Sequence, residues 1–257
     1  MRYLGQNFLY DPSILRRIIQ VAQLDGEDLV VEIGPGPGRL TKMLARKVKR
    51  VIAIELDEKL FENLRDELAE YSNIELIHGD ALKFPFESLI EFKVVANIPY
   101  YITTPIIFRL LEVRKNLKSM TLTVQKEVAE RIVASPGGKD YGVLSIMVQY
   151  YAMPRLKFMI PKGAFRPVPR VDSAVLHIKI LDKPSVIVKD EALFLRLIKT
   201  AFSQRRKMLP NSLKSIRSDI KEKLVEAGID SNRRPETLSI EEFARLSNIL
   251  IKKWRRG

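Results

Sequence analysis

In Asn97-Ile98-Pro99-Tyr100 a neutral amide, a proline and an aromatic ring stand where a β-branched run passes into a loop. The chemistry open to such a set is transfer to an exocyclic amine. An adenine amine attacks poorly because its lone pair is delocalised into the ring; hydrogen bonds accepted by the Asn97 side-chain oxygen and the Pro99 carbonyl would favour the pyramidal, attacking form. Tyr100 would stack on an extruded base. A sulfonium methyl is already activated and needs orientation and exclusion of water rather than a strong base, which accounts for an uncharged Asn. The competing reading is a plain β-turn, since Asn and Pro form turns and Tyr often packs in cores.

A donor site is indicated upstream. Val31-Glu32-Ile33-Gly34-Pro35-Gly36-Pro37-Gly38 follows a buried-strand pattern and precedes a helix, placing glycines where backbone turns sharply and lies close to a ligand. The spacing is Gly-x-Gly-x-Gly, with Arg39 next and prolines stiffening the loop, which departs from the Gly-x-Gly-x-x-Gly of dinucleotide sites. A tight strand-to-helix turn is the other reading of the loop. Glu55 ends the next β-branched run, 19 residues after Gly36, where a carboxylate can accept from both ribose hydroxyls. Asp80 ends the third run and either accepts an adenine amine or caps a helix at Ala81-Leu82. No Gly-x-x-x-x-Gly-Lys-Ser/Thr cradle for phosphates occurs. A phosphate-free nucleoside, S-adenosylmethionine, is the cofactor that fits.

The elements that must position these residues alternate in period. Asp11-Pro12 caps a helix carrying Ile14, Leu15, Ile18 and Ile19. Strand-like runs at 29–33, 51–54, 74–77, 94–96 and 120–124 are separated by stretches of helical spacing such as 40–48 and 58–68. This predicts an α/β fold, a parallel Rossmann-like sheet with helices on both faces. Residues 156–160 and 171–180 flank a Pro-rich loop and are candidates for an antiparallel pair at the sheet edge. Beyond residue 182 the strand signal stops and 193–202, 220–227 and 240–250 read as helices, the second closed by Gly228. Two domains are expected, 1–182 holding cofactor and chemistry and 183–257 a small helical one.

Charge separates the same two parts. The chain of 257 residues carries 44 Lys/Arg against 31 Asp/Glu; residues 183–257 hold 18 against 9, a net +9, and the first 182 only +4. A basic part on a nearly balanced body points to a polyanion, RNA or DNA ahead of membrane because no long apolar span accompanies the charge. Arg205, Arg206 and Lys207, with further pairs at Arg233-Arg234, Lys252-Lys253 and Arg255-Arg256, are candidate phosphate contacts, as are Lys126 and Arg131. Solvated helix faces are the other reading, above all from Lys252 onward. With no Cys and only His78 and His177, no metal site is expected. Neither an export signal nor a spanning segment is indicated, and a cytoplasmic monomer is expected.

The sequence resembles the ribosomal small-subunit RNA adenine dimethyltransferases, the family whose loss gives kasugamycin resistance. Six blocks carry the resemblance: Gly5-Gln6-Asn7-Phe8-Leu9, the glycine loop, Asn97-Ile98-Pro99-Tyr100, Val124 through Arg131, Phe-x-Pro-x-Pro-x-Val-Asp-Ser-Ala from Phe165 to Ala174, and Phe202 through Lys207. The resemblance implies a class I methyltransferase in which Asn7 and Leu9 contact the cofactor, Gly34 and Gly36 face its methionine part, Glu55 holds the ribose and Asp80 the adenine. Asn97 would face cofactor and target amine together. It implies a second aromatic wall from Phe165 opposite Tyr100, against which stands ordinary packing under the Pro-rich loop. The implied substrate is two neighbouring adenosines in the 3′-terminal hairpin of small-subunit RNA, each dimethylated, on an immature small subunit whose biogenesis the protein would serve. Ile98 replaces a usual Leu and Tyr101 a frequent Asn. Asp in place of Asn97 would mark DNA amino-methyltransferases; the amide points to RNA. Ile98 also fits the erythromycin-resistance enzymes that modify large-subunit RNA, which stay as the alternative, beside an assembly factor in which binding outweighs catalysis.

Overall fold

Asp11 and Pro12 start the first helix as their types require: the Asp11 carboxylate accepts from the Ser13 N–H at 2.8 Å, and Pro12 occupies the first turn, where its missing N–H costs nothing. The computed structural model describes residues 7–204 and 206–251; Gly5, Gln6, Arg205, Lys252-Lys253 and Arg255-Arg256 lie outside the described residues. In chain order the elements are β1 (Phe8–Leu9), α1 (Pro12–Ala22), β2 (Leu29–Ile33), α2 (Arg39–Ala45), β3 (Arg50–Glu55), α3 (Glu58–Glu67), β4 (Ile74–His78), β5 (Phe92–Asn97), α4 (Thr103–Glu112), β6 (Leu117–Gln125), α5 (Lys126–Val133), α6 (Val143–Tyr151), β7 (Ala152–Ile160), β8 (Phe165–Arg166) and β9 (Ser173–Ile180). Four helices follow, α7 (Glu191–Ser203), α8 (Leu209–Leu213), α9 (Ile220–Glu226) and α10 (Ile240–Leu250).

Seven strands form one sheet in the order β4-β3-β2-β5-β6-β9-β7. The first five of these are parallel, and β9 runs antiparallel to β6. The run at 171–180 therefore lies one strand inside the edge, with β7 outermost. Because β2 pairs with both β3 and β5, successive connections leave it in opposite directions, and a crevice opens at the carboxyl ends of these three strands. Leu15 and Ile18 of α1 and Leu40 and Leu44 of α2 pack on Val30, Val51, Val95 and Val175 of the sheet. Burying each such side chain contributes about 1.5–3 kcal/mol, so the helices hold the strand ends that form the crevice. A short antiparallel ribbon pairs β1 with β8, Phe8 opposite Arg166 and Leu9 opposite Phe165.

Two units divide the chain, Met1–Ala129 with Met153–Ile180, and Glu130–Ala152 with Leu181–Gly257. The boundary expected after residue 182 is thus corrected: residues 130–152 belong with the helical part. The reason is α6, whose Ile146, Met147, Val148, Tyr150 and Tyr151 are buried. Its Tyr150 ring lies 4.8 Å from Phe194 of α7, and Tyr151 donates to the Glu191 carboxylate at 2.8 Å. The three helices expected beyond residue 182 are present, and α8 is an addition. Among the described residues no helix is long and apolar enough to cross a membrane.

Candidate active site

The crevice is lined by Asn7, Phe8, Gly34, Gly36, Glu55, Asn97, Ile98, Pro99 and Tyr100. It takes in the glycine loop after β2, the last residue of β3, the end of β5 and the ribbon strand β1. Gly34 and Gly36 adopt φ of +68° and +57°, a region that L side chains enter only under strain. Space is short as well: a Cβ on Gly36 would stand 2.6 Å from the Phe8 ring, and one on Gly34 3.2 Å from Pro99 Cδ. Residue type at both positions is dictated by the close approach of β1 and of the Asn97–Tyr100 segment.

Two carboxylates lie under the loop. Glu55 accepts from the Gly36 N–H at 3.2 Å and from the Asp57 N–H at 2.9 Å. Burial pushes its carboxyl up from the ordinary range, and those N–H groups pull it part of the way back. Glu32, which sequence reasoning passed over, is only 2% exposed, and its Oε2 has no hydrogen-bond partner among the described residues. Burial, opposed by Thr41 and reinforced by Glu55, pushes its carboxyl up to about 8. The signal in the sequence was an acid in the otherwise apolar run Leu29–Ile33. A buried carboxyl with a free oxygen suits a cationic partner, because a positive charge lowers the cost of ionising it.

Asn97 supplies the most telling geometry. Its Nδ2 donates to the Asn7 carbonyl at 3.0 Å, which fixes the amide's orientation, while Oδ1 is buried without a partner among the described residues. Leaving such an acceptor unmet costs about 1–3 kcal/mol. The expected role of the Pro99 carbonyl is corrected: it already accepts from the Ile102 N–H at 3.1 Å and from the Thr103 hydroxyl at 3.5 Å, closing the turn Tyr100–Ile102. The neighbouring Ile98 donates its N–H to the Thr123 carbonyl at 3.1 Å and buries its side chain. Its own carbonyl takes no hydrogen bond among the described residues. Tyr100 lines the crevice and its hydroxyl is held by Ser173 Oγ at 2.7 Å. Ser173 lay within a recognised block, yet sequence reasoning gave it no role.

Three other expectations change. Phe165 is fully buried, packed with Leu9, Val95 and Ile160 rather than lining the crevice, because its strand turns it inward opposite Leu9. Leu9 is drawn into the same core, and Phe8 takes the place at the crevice wall expected of it. Asp80 caps the turn Ala81–Lys83 by accepting from the Leu82 N–H at 2.9 Å. It still bears on the rim: burial, then Asp80, then Glu55 push the Tyr101 phenol up. Lys126, Arg131, Arg206 and Lys207 are exposed. Arg233 is not available for phosphate, since it pairs with Glu242 at 2.5 Å and donates to the Thr237 carbonyl at 2.6 Å.

Residues 2–252 match a family model described as ribosomal RNA adenine dimethylase. A ribosomal RNA small subunit methyltransferase A from Clostridium acetobutylicum is 48% identical over 97% of this chain and 93% of its own length. Its counterpart in Clostridium botulinum is 50% identical over 96% and 92%. Among solved structures, a dimethyladenosine transferase from Plasmodium falciparum superposes with a TM-score of 0.78 at 28% identity, covering 93% of this chain and 95% of that one. The 23S rRNA methyltransferase ErmE does so with a TM-score of 0.74 at 28% identity, covering 95% and 99%.

Proposed function

The chain belongs to the ribosomal RNA adenine dimethylase family, and from that premise we propose that it moves methyl groups from S-adenosylmethionine to the N6 amines of two adjacent adenosines in the 3′-terminal hairpin of small-subunit ribosomal RNA. The observation that carries this reading is the buried, unpartnered Asn97 Oδ1 in a crevice shared with Gly34, Gly36 and Glu55. The cofactor fits the residues present: Glu32 for its ammonium, the Gly34–Gly36 backbone for close approach, Glu55 for the ribose and the second oxygen of Asp80 for the adenine amine. When bound, S-adenosylmethionine supplies a methyl carbon activated by its sulfonium.

The rest falls to the chain's own groups. Asn97 Oδ1 and the Ile98 carbonyl accept from the two N–H bonds of the target amine, leaving its lone pair to point along the line of attack. Tyr100, its ring held by Ser173, stacks on the extruded base. Neutral acceptors suit both rounds, because a monomethylated amine still presents one N–H. Two alternatives are weaker. Relatives named for the small subunit reach 48–50% identity, against 28% for the large-subunit enzyme. A pure assembly factor would have no use for an oriented, unmet acceptor. The expected partner is an immature small subunit, bound by a monomer.

The test is labelled-methyl transfer to unmethylated small subunits, large subunits and duplex DNA, followed by nucleoside analysis. Dimethyladenosine confined to small-subunit RNA is expected, and label only in large subunits or DNA overturns the reading. A second measurement addresses Glu32. A carboxyl raised to about 8 in the fold stabilises the apo protein fully below the unfolded value of 4.5, and that contribution is lost as pH rises to about 8. Glu32→Gln should therefore raise the apo Tm over wild type increasingly between these limits. An ammonium partner favours the ionised carboxylate, so wild-type cofactor affinity should climb with pH by up to about tenfold per unit below 8 and then level off. In the variant that slope disappears and affinity falls. Parallel pH slopes would remove the ammonium role.

A further inference from the structure

The positive charge of the α/β unit sits in one stretch. Residues 153–171 hold five Lys/Arg (Arg155, Lys157, Lys162, Arg166 and Arg170) and no Asp/Glu, whereas the rest of the unit, 1–129 with 172–180, holds 19 Lys/Arg and 19 Asp/Glu. All five are exposed, and among the described residues none is in ion-pair distance of a carboxylate. Elsewhere in this unit exposed cations are paired in part, as Lys49 is with Glu27 at 2.7 Å and Lys118 with Glu91 at 3.1 Å. The next acid along the chain, Asp172, is committed to the Lys162 N–H at 2.9 Å.

An edge strand is often guarded by a lysine or two against pairing with a foreign sheet. That accounts for Arg155 and Lys157 on β7, but not for Lys162, Arg166 and Arg170, which lie beyond it. These continue toward the crevice. Arg166 is the register partner of Phe8, a crevice residue, and Arg170 comes shortly before Ser173, whose hydroxyl holds Tyr100. We infer that residues 153–171 form a phosphate track that grips the RNA strand flanking the extruded adenosine, giving the α/β unit an RNA contact of its own besides the helical part. The inference rests on the RNA substrate proposed above. Met153, Leu156 and Met159 are exposed among these cations at 42%, 37% and 41%, a mixture that also suits an anionic bilayer. RNA is favoured because the cations follow a loop to the crevice mouth, as a strand leading to its own extruded base must and a flat membrane need not.

The full-length triple variant Arg155→Gln/Lys157→Gln/Lys162→Gln tests this, with binding to the small-subunit 3′ hairpin followed by fluorescence anisotropy across a salt series. Each phosphate contact contributes about 0.7–0.9 to the slope of log K against log salt. The slope should therefore fall by about two to three, and affinity near physiological salt by on the order of 10²-fold. Cofactor affinity and Tm should match wild type. An unchanged slope and affinity overturns the track, as does loss of binding to phosphatidylserine vesicles with RNA binding intact. Arg206→Gln/Lys207→Gln, run alongside, reads the helical part separately. A wild-type protein that binds the hairpin but transfers no methyl sinks the proposed reaction, while the slope still decides the track.

Discussion

Asn97→Ala should lower single-turnover methyl transfer by about 10³-fold, the range seen when a positioned polar group at a reaction centre is removed. The substitution deletes the buried Oδ1 that awaits the target amine and the Nδ2 that donates to the Asn7 carbonyl at 3.0 Å. Those losses have different consequences, and Asn97→Asp separates them. A carboxylate keeps an acceptor but turns the contact with the Asn7 carbonyl from attraction into repulsion. If acceptance from the amine dominates, Asn97→Asp should recover part of the rate that Asn97→Ala loses, with cofactor affinity weakened through Asn7. If anchoring of Asn7 dominates, both variants should be equally poor and both should bind cofactor weakly. Rates are read with radiolabelled donor at saturating RNA, and cofactor affinity by calorimetry. Transfer within tenfold of wild type in Asn97→Ala would remove this residue from the reaction centre.

Gly36→Ala should cost cofactor affinity at least about 10²-fold through two effects that add. A Cβ at φ +57° is strained by about 1–2 kcal/mol, and it would lie 2.6 Å from the Phe8 ring. Either the ring leaves the crevice wall, taking Asn7 with it, or the loop shifts and breaks the 3.2 Å bond from the Gly36 N–H to Glu55. Gly26→Ala is the matched control, because nothing lies within 4 Å of its Cβ position and its φ is not in the left-handed region. It should leave affinity unchanged. Phe8→Ala in the Gly36→Ala background removes the collision but not the strain and should restore roughly half of the lost binding free energy. No recovery would mean that backbone strain alone governs the site.

The elements that build the crevice were legible from local pattern. A β-branched run bounded by turn formers, as at Leu29–Ile33, is buried wherever it folds, and Asp11-Pro12 caps its helix through contacts two residues apart. The glycine spacing, the acid closing β3 and the amide-proline-aromatic set could be recognised for the same reason: each is a statement about residue type at short range. From them the sheet, the crevice edge and the class of chemistry follow.

What lay beyond the pattern was every question of which partner an atom meets. Asn97 donates its nitrogen to a carbonyl 90 residues away and leaves its oxygen unmet among the described residues. The Pro99 carbonyl turns back on its own turn, while the carbonyl of the buried Ile98 takes no hydrogen bond among the described residues. Phe165 and Leu9 face each other across a two-residue ribbon and are pulled into the core, and α6 packs with α7, which follows it by some forty residues. Composition and periodicity report how a residue would sit in its own element, whereas hydrogen-bond pairing and burial are set by elements that meet only once the chain has closed on itself. Type and order were therefore determined by the sequence alone, and the roles of individual atoms by the tertiary structure.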